Sequence, residues 1–259
     1  MRLLGRIVSG SVVGSEPAAH PSSDLCNMMI GGDLKLDHDI SCTADGLRIA
    51  NDGIKLDLNG HTLAGAGGGV GIGVTGRSNV TIVGGTVKHF EAGVRLVDAT
   101  GVVIRRNTLQ ENSDGVDLQS GSGLNTVGEN QFINNRSRGV MLRGNTIENR
   151  VRDNSFAGNR VGILLFGPVG TTVSGNVVNA SGLAGIRVNV LATGNLISKN
   201  RITSSPAGVE FLVTPTGYAI GNSVVHNAMQ SNDCGLKGPV EGNTVERNVF
   251  DGNVRDSCQ

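Results

Sequence analysis

Two acid–base couples stand at nearly one spacing in this chain of 259 residues: Arg95 with Asp117, 22 positions on, and Arg187 with Glu210, 23 positions on. A guanidinium fork matches a carboxylate, whether a neighbour's or a ligand's. Asp117 or Glu210, if partly desolvated, could also accept a proton, although an arginine beside it favours the ionised, weakly basic form. Ordinary solvent-facing ion pairs use the same residue types and contribute little to stability. Which of these roles is open depends on a fold that brings the chain back to one place about every 23 residues.

The chain repeats with that period. Glycines open successive units at Gly71, Gly93, Gly115, Gly139, Gly162, Gly185, Gly208 and Gly235, and the later ones are followed by apolar-x-apolar triplets such as Val140-Met141-Leu142. Three polar columns follow. The second reads Asn107, Asn130, Asn154, Asn176, Asn200, Asn227, Asn248, and the third Asn112, Asn135, Asn159, Ser181, Ser205, Asn232, Asn253; the first, less regular, includes Asn125, Asn149, Thr171, Asn195, Asn222 and Asn243. A fixed period of this length makes each unit one structural turn that is stable only when stacked on its neighbours. Alternating apolar residues read as three short strands per turn, with Gly and Asn between them to supply the left-handed backbone of sharp bends. Stacked turns lie about 4.8 Å apart, so equivalent asparagines can bond up the stack. The expected architecture is all-β, a single-domain parallel β-helix of about nine coils.

Alternation then sorts the side chains. Inward apolar residues leave Arg48, Gly73, Arg95, Asp117, Met141, Leu164, Arg187, Glu210 and Lys237 in one outward column, and Val97, Gln119, Arg143, Phe166, Asn189 and Leu212 in a second. Arg95 therefore neighbours Asp117, and Arg187 neighbours Glu210, with Met141, Leu164 and Phe166 as an apolar patch between them. Gln119, Arg143 and Asn189 complete the face as candidate ligand contacts.

Composition agrees with a thin cylindrical core: aromatic residues are 3%, tryptophan is absent and there are 40 glycines. Net charge is zero, with acids and bases interspersed, so a nucleic-acid partner or an anionic membrane surface is not expected. No apolar run approaches the roughly 20 residues of a membrane span. Residues 1–25 read as a leader or degenerate signal, 26–45 as an N-terminal cap, 46–253 as the β-helix and 254–259 as a tail. Arg2 and Arg6 flank Leu3 and Leu4, but Ser9, Gly10 and Ser11 break the apolar region, so an export signal and a cytoplasmic leader both fit. The cysteines favour export to a secreted or cell-envelope location. Of three possible pairings, Cys26 with Cys42, around an expected hairpin, and Cys234 with Cys258, one turn apart, place a bridge at each end.

The segment Asp45-Gly46-Leu47-Arg48-Ile49, with Asp52-Gly53-Ile54-Lys55-Leu56-Asp57-Leu58-Asn59-Gly60-His61-Thr62-Leu63 and the glycine-rich loop after it, resembles the opening coils of bacterial right-handed parallel β-helix repeat proteins, the NosD-like and pectate-lyase-like groups. The resemblance covers about residues 26–258 and implies the right-handed fold. It is poorly specific for activity, because these groups include polysaccharide lyases, hydrolases, mannuronan epimerases and members without known catalysis. In the lyases the strand face is the substrate groove, where basic residues neutralise a uronate carboxylate and a base removes the adjacent proton. The resemblance thus implies Arg95, Arg143 and Arg187 for the first task and Asp117 or Glu210 for the second.

Other motifs carry less. Asn112-Ser113-Asp114-Gly115 is similar to a polygalacturonase segment, but that family's paired aspartates and Gly-His-Gly segment are missing, and two positioned carboxyls are what glycoside hydrolysis needs. Gly71-Ile72-Gly73-Val74-Thr75-Gly76 matches a dinucleotide pattern without the helix that pattern requires. His20, His38, His61, His89 and His226 lack metal-ligand spacing, so neither metal nor cofactor is expected. The leading expectation is a lyase or epimerase on an acidic polysaccharide. A non-catalytic surface or binding module, and an isomerase, lyase or cyclase for a small, partly apolar ligand, stand beside it. The apolar patch or an uncovered strand edge could also join two copies of the chain.

Overall fold

A computed structural model describes residues 22, 24–119 and 121–259; most of the expected leader, and His20, lie outside them. The chain coils into three parallel sheets of eleven, ten and ten strands, each strand pairing with its equivalent one coil away. One coil shows how the residues dictate this. Arg138–Arg143, Arg150–Arg152 and Ser155–Ala157 are its strands, and their central apolar residues Val140, Leu142, Val151 and Phe156 are fully buried. Registers run like with like, Val116 opposite Val140 and Val140 opposite Ile163, so every inward side chain stacks on its counterpart. Phe132 and Phe156 stack in this way with ring centroids 4.7 Å apart.

The first sheet has the longest strands, among them Ala92–Val97, Arg138–Arg143 and Val161–Phe166, and so presents the broadest regular face. The fold is the expected right-handed β-helix, with ten coils and a closing strand, Arg255–Cys258, laid on Cys234–Lys237. The segment expected to hold a hairpin is instead a first coil. Met29–Ile30, Leu34–Lys35 and Ile40–Ser41 each pair in parallel with the coil that follows, because Leu36 and Ile40 point into the same core as their successors. Both expected disulfides are present, Cys26–Cys42 and Cys234–Cys258, with Cα separations of 5.6 and 6.1 Å.

The bends are made partly as expected, with left-handed glycines such as Gly158, Gly175 and Gly194 at some of them. The buried column asparagines are not themselves left-handed; the residue before each one is. Arg106, Glu129, Asp153, Lys199, His226 and Arg247, which precede the second column, have φ of 54–58°. Such a conformation costs a non-glycine residue roughly 1–2 kcal/mol. Hydrogen bonding by the asparagine offsets it: Asn130 Nδ2 donates to Ile104 O, Gly128 O and Asn154 Oδ1, while its Oδ1 accepts from Asn107 N. The opening glycines answer a different need. A Cβ on Gly139 would stand 2.5 Å from the Phe156 ring and 2.7 Å from Gly162 O, so it is close packing that excludes a side chain there.

Candidate functional site

Both outward columns exist on the first sheet. Parallel registers place Arg48, Gly73, Arg95, Asp117, Met141, Leu164, Arg187, Glu210 and Lys237 in one line up the stack, with Arg143 opposite Phe166 in the second. Gln119 and Asn189 follow directly after their strands.

Asp117 is the centre of a closed cluster. Its side chain is 1% exposed and accepts from Arg95 Nε at 3.1 Å, Gln119 Nε2 at 2.8 Å, and Arg143 Nε and Nη2 at 3.2 and 3.0 Å. Arg95 also reaches Glu91, at 3.2 Å. Charge-assisted bonds of this number satisfy a buried carboxylate. Glu210 is held similarly by Arg187 Nε at 2.6 Å and Lys237 Nζ at 3.1 Å. The structure thus brings Arg95, Gln119 and Arg143 together on Asp117, and pairs Arg187 with Glu210 several coils away.

Between these clusters Met141 and Leu164 are buried with Val161 and against Leu183. Phe166 is 41% exposed and stands outside that group. Asn189 turns its Oδ1 back to the amide of Val190 and joins neither cluster.

A concavity of about 340 Å³ lies on this face at the first coils; Arg95 was an expected site residue and Arg48 and Gly73 stood in the expected outward column, whereas Asp45 and Arg77 were not among the expected sites. Asp45, Arg48, Arg77 and Arg95 supply its charge, and Met29 and Val70 its accessible apolar side chains. Gly73 makes the room: it occupies the column between Arg48 and Arg95, and a Cβ there would meet nothing closer than 4.0 Å. That single glycine among large side chains was the available sequence signal. Asp45 accepts from Arg48 Nη2 at 2.8 Å and from the amide of Val70 at 2.9 Å, and the Arg48 bond first, then this amide, holds its carboxyl below the usual range. Arg77 has no carboxylate partner among the described residues, and its buried Nε donates to nothing. Arg48, Arg95 and Arg143 each bond a carboxylate of Asp45, Glu91 or Asp117, whereas Arg77 makes no ion pair among the described residues.

A family model described as periplasmic copper-binding protein (NosD) matches residues 48–257. No curated protein sequence matches the chain. Among solved structures, an alginate lyase from Paenibacillus sp. str. FPU-7 superposes with a TM-score of 0.72 at 17% identity, covering 85% of this chain and 90% of that one. The periplasmic alginate epimerase AlgG gives 0.63 at 17% identity; the match covers 82% of this chain but 61% of the epimerase. The A-module of the Azotobacter vinelandii mannuronan C-5 epimerase AlgE4 gives 0.54 at 15% identity, covering 93% and 85%. At these identities the likeness is one of fold. Copper is held by thiolate, thioether and imidazole groups. All four cysteines here are in disulfides, Met141 and Met229 are buried while Met28 and Met29 are exposed, and among the described residues no three His, Cys, Asp or Glu stand together to hold a metal. The described residues do not fit a copper centre.

Proposed function

The chain belongs to the NosD family, and from that premise we propose that its first-sheet face binds an acidic oligosaccharide, with a sugar carboxylate held in the arginine pocket. The Arg77 guanidinium, which lines the pocket with Arg48 and Arg95 and makes no ion pair among the described residues, carries this reading. A carboxylate is the ligand chemistry that matches a guanidinium fork. The Met29 and Val70 side chains offer apolar contact for the carbon face of a sugar ring. The lyase and epimerases of this fold are named for alginate and mannuronan, polymers of uronic acids, which accords with this choice of ligand.

Turnover by a lyase or epimerase is the finer form of the same reading. It needs a base at the carbon next to the carboxylate. Asp117 and Glu210 are both saturated by cationic donors, so the geometry favours binding and charge neutralisation over proton abstraction by either. Two disulfides suit an oxidising compartment, in line with the family's periplasmic description.

Ligands that bind only the folded state raise its melting temperature by mass action. Oligouronates are expected to raise it in a dose-dependent way and neutral oligosaccharides are not. Arg77→Ala and Gly73→Leu should each remove the rise while leaving the unliganded melting temperature nearly unchanged. An equal rise with neutral sugars, or none with uronates, would refute the reading.

A further inference from the structure

The arginine pocket is a trough with a direction. Its floor is the strand Val70–Thr75, from which Val70, Gly73 and Thr75 line it. Parallel register sets Arg48 on one side of Gly73 and Arg95 on the other, so these walls stand two strand spacings apart, about 10 Å. Along the strand the floor runs about 17 Å from Val70 to Thr75. Toward the higher coils the trough is closed. Arg95 is held there by Glu91 and Asp117, and Gln119 and Arg143 converge on the same Asp117 behind it, so a ridge of bonded side chains crosses the face.

The two ends of the trough differ in chemistry. Asp45 stands at the Val70 end, where it accepts from the Val70 amide, and Arg77 follows Thr75 at the other. A carboxylate offers about four acceptor positions. Asp117 meets four donor atoms and is 1% exposed, whereas Asp45 meets two, from Arg48 and Val70, and its side chain is 33% exposed. Asp45 therefore keeps room for a donor from a ligand. A cationic donor would be repelled by the Arg48 guanidinium beside it, and a neutral hydroxyl would not. Arg77, with no ion pair among the described residues, matches an anion instead.

We infer that the acidic oligosaccharide lies across the stack, along Val70–Thr75, with a sugar hydroxyl on Asp45 at one end of the trough and a uronate carboxylate on Arg77 at the other. The inference rests on the reading above and adds an orientation and a length to it. A short oligomer of roughly two or three rings fills a floor of about 17 Å, and further units leave the trough for solvent.

Binding isotherms with uronate oligomers of graded length test this. In the unmodified protein, affinity should rise about tenfold from monomer to trimer, the scale of a hydrogen bond to a charged group, and change by less than about twofold with further units. Asp45→Asn keeps an acceptor for the Val70 amide but loses the charge, and it should weaken the trimer several-fold while leaving the monomer alone. Arg77→Ala should weaken every length. Arg160→Ala, higher on the same face beside Leu164 and Arg187, should change nothing. Affinity that climbs steadily with length and falls in Arg160→Ala would lay the ligand along the stack and overturn the inference, with the oligosaccharide reading left standing. A trimer bound no more tightly than the monomer would overturn it too. The length series and Arg160→Ala decide the orientation even if Asp45→Asn does not fold. No binding at any length would remove both the inference and the reading.

Discussion

Asn130 uses both ends of its amide on neighbouring coils, with bonds to Ile104 O, Asn154 Oδ1 and the backbone of Asn107, all buried. Replacement by alanine leaves the Asn107 amide and the Ile104 carbonyl without these partners and removes what offsets the left-handed Glu129. Buried groups orphaned in this way cost about 1–3 kcal/mol each. Asn130→Ala should therefore lose roughly 3 kcal/mol in urea unfolding. Asn248→Ala should lose distinctly less, because Asn248 lies in the last coil and is only partly buried. Equal losses at the two positions would show that the ladder does not depend on burial. The asparagine columns themselves were plain in the sequence. The left-handed residue before each one was plain only where it is glycine, as at Gly158, Gly175 and Gly194; elsewhere that position holds residues such as Arg, Glu, Lys, His or Leu with no common chemistry.

At the scale of the strand, the opening glycine sets how closely consecutive coils approach. Gly139→Ala puts a methyl group against Phe156 and the Gly162 carbonyl, and overpacking of this kind costs about 1–3 kcal/mol. Gly68→Ala adds a methyl group in open space and should stay within about 0.5 kcal/mol of the parent. Thermal melts of the two variants compare them directly, and a neutral Gly139→Ala would contradict the close-packing account. The strands also settle what their ion pairs can do. A column one residue per coil puts Arg95 beside Asp117, as alternation predicts, but the second column, two residues on, adds Arg143 and Gln119 to the same carboxylate. A pair becomes a buried cluster in which four donor atoms meet one carboxylate.

Across the whole molecule, each coil touches mainly its neighbours, so stability is close to a sum over adjacent coils and the ends open first. Cys26–Cys42 and Cys234–Cys258 clamp those ends. Opening a native disulfide costs about 2–5 kcal/mol in small exported domains. In a solenoid that loss should stay local. Hydrogen exchange after reduction is expected to rise in the coils around residues 26–42 and 234–258 while the strands near residues 103–165 keep their protection. A uniform rise along the stack would mean that the coils unfold as one unit.

The period, the inward and outward faces, the asparagine columns and both disulfides could be read from the chain, because a repeat of constant length fixes main-chain register, and register alone decides which residues stack. Only the tertiary structure decided where a ligand could sit. Arg48 lies on a strand within the outward column and Arg77 in the turn after Val70–Thr75, out of the columns and 29 positions on, yet both line the pocket that Gly73 leaves open. Long side chains reach across coils to partners that periodicity does not specify. For that reason the sequence showed which residues share a face, and three-dimensional packing determined that Asp117 is closed by its donors and that Arg77 lines the pocket without an ion pair among the described residues.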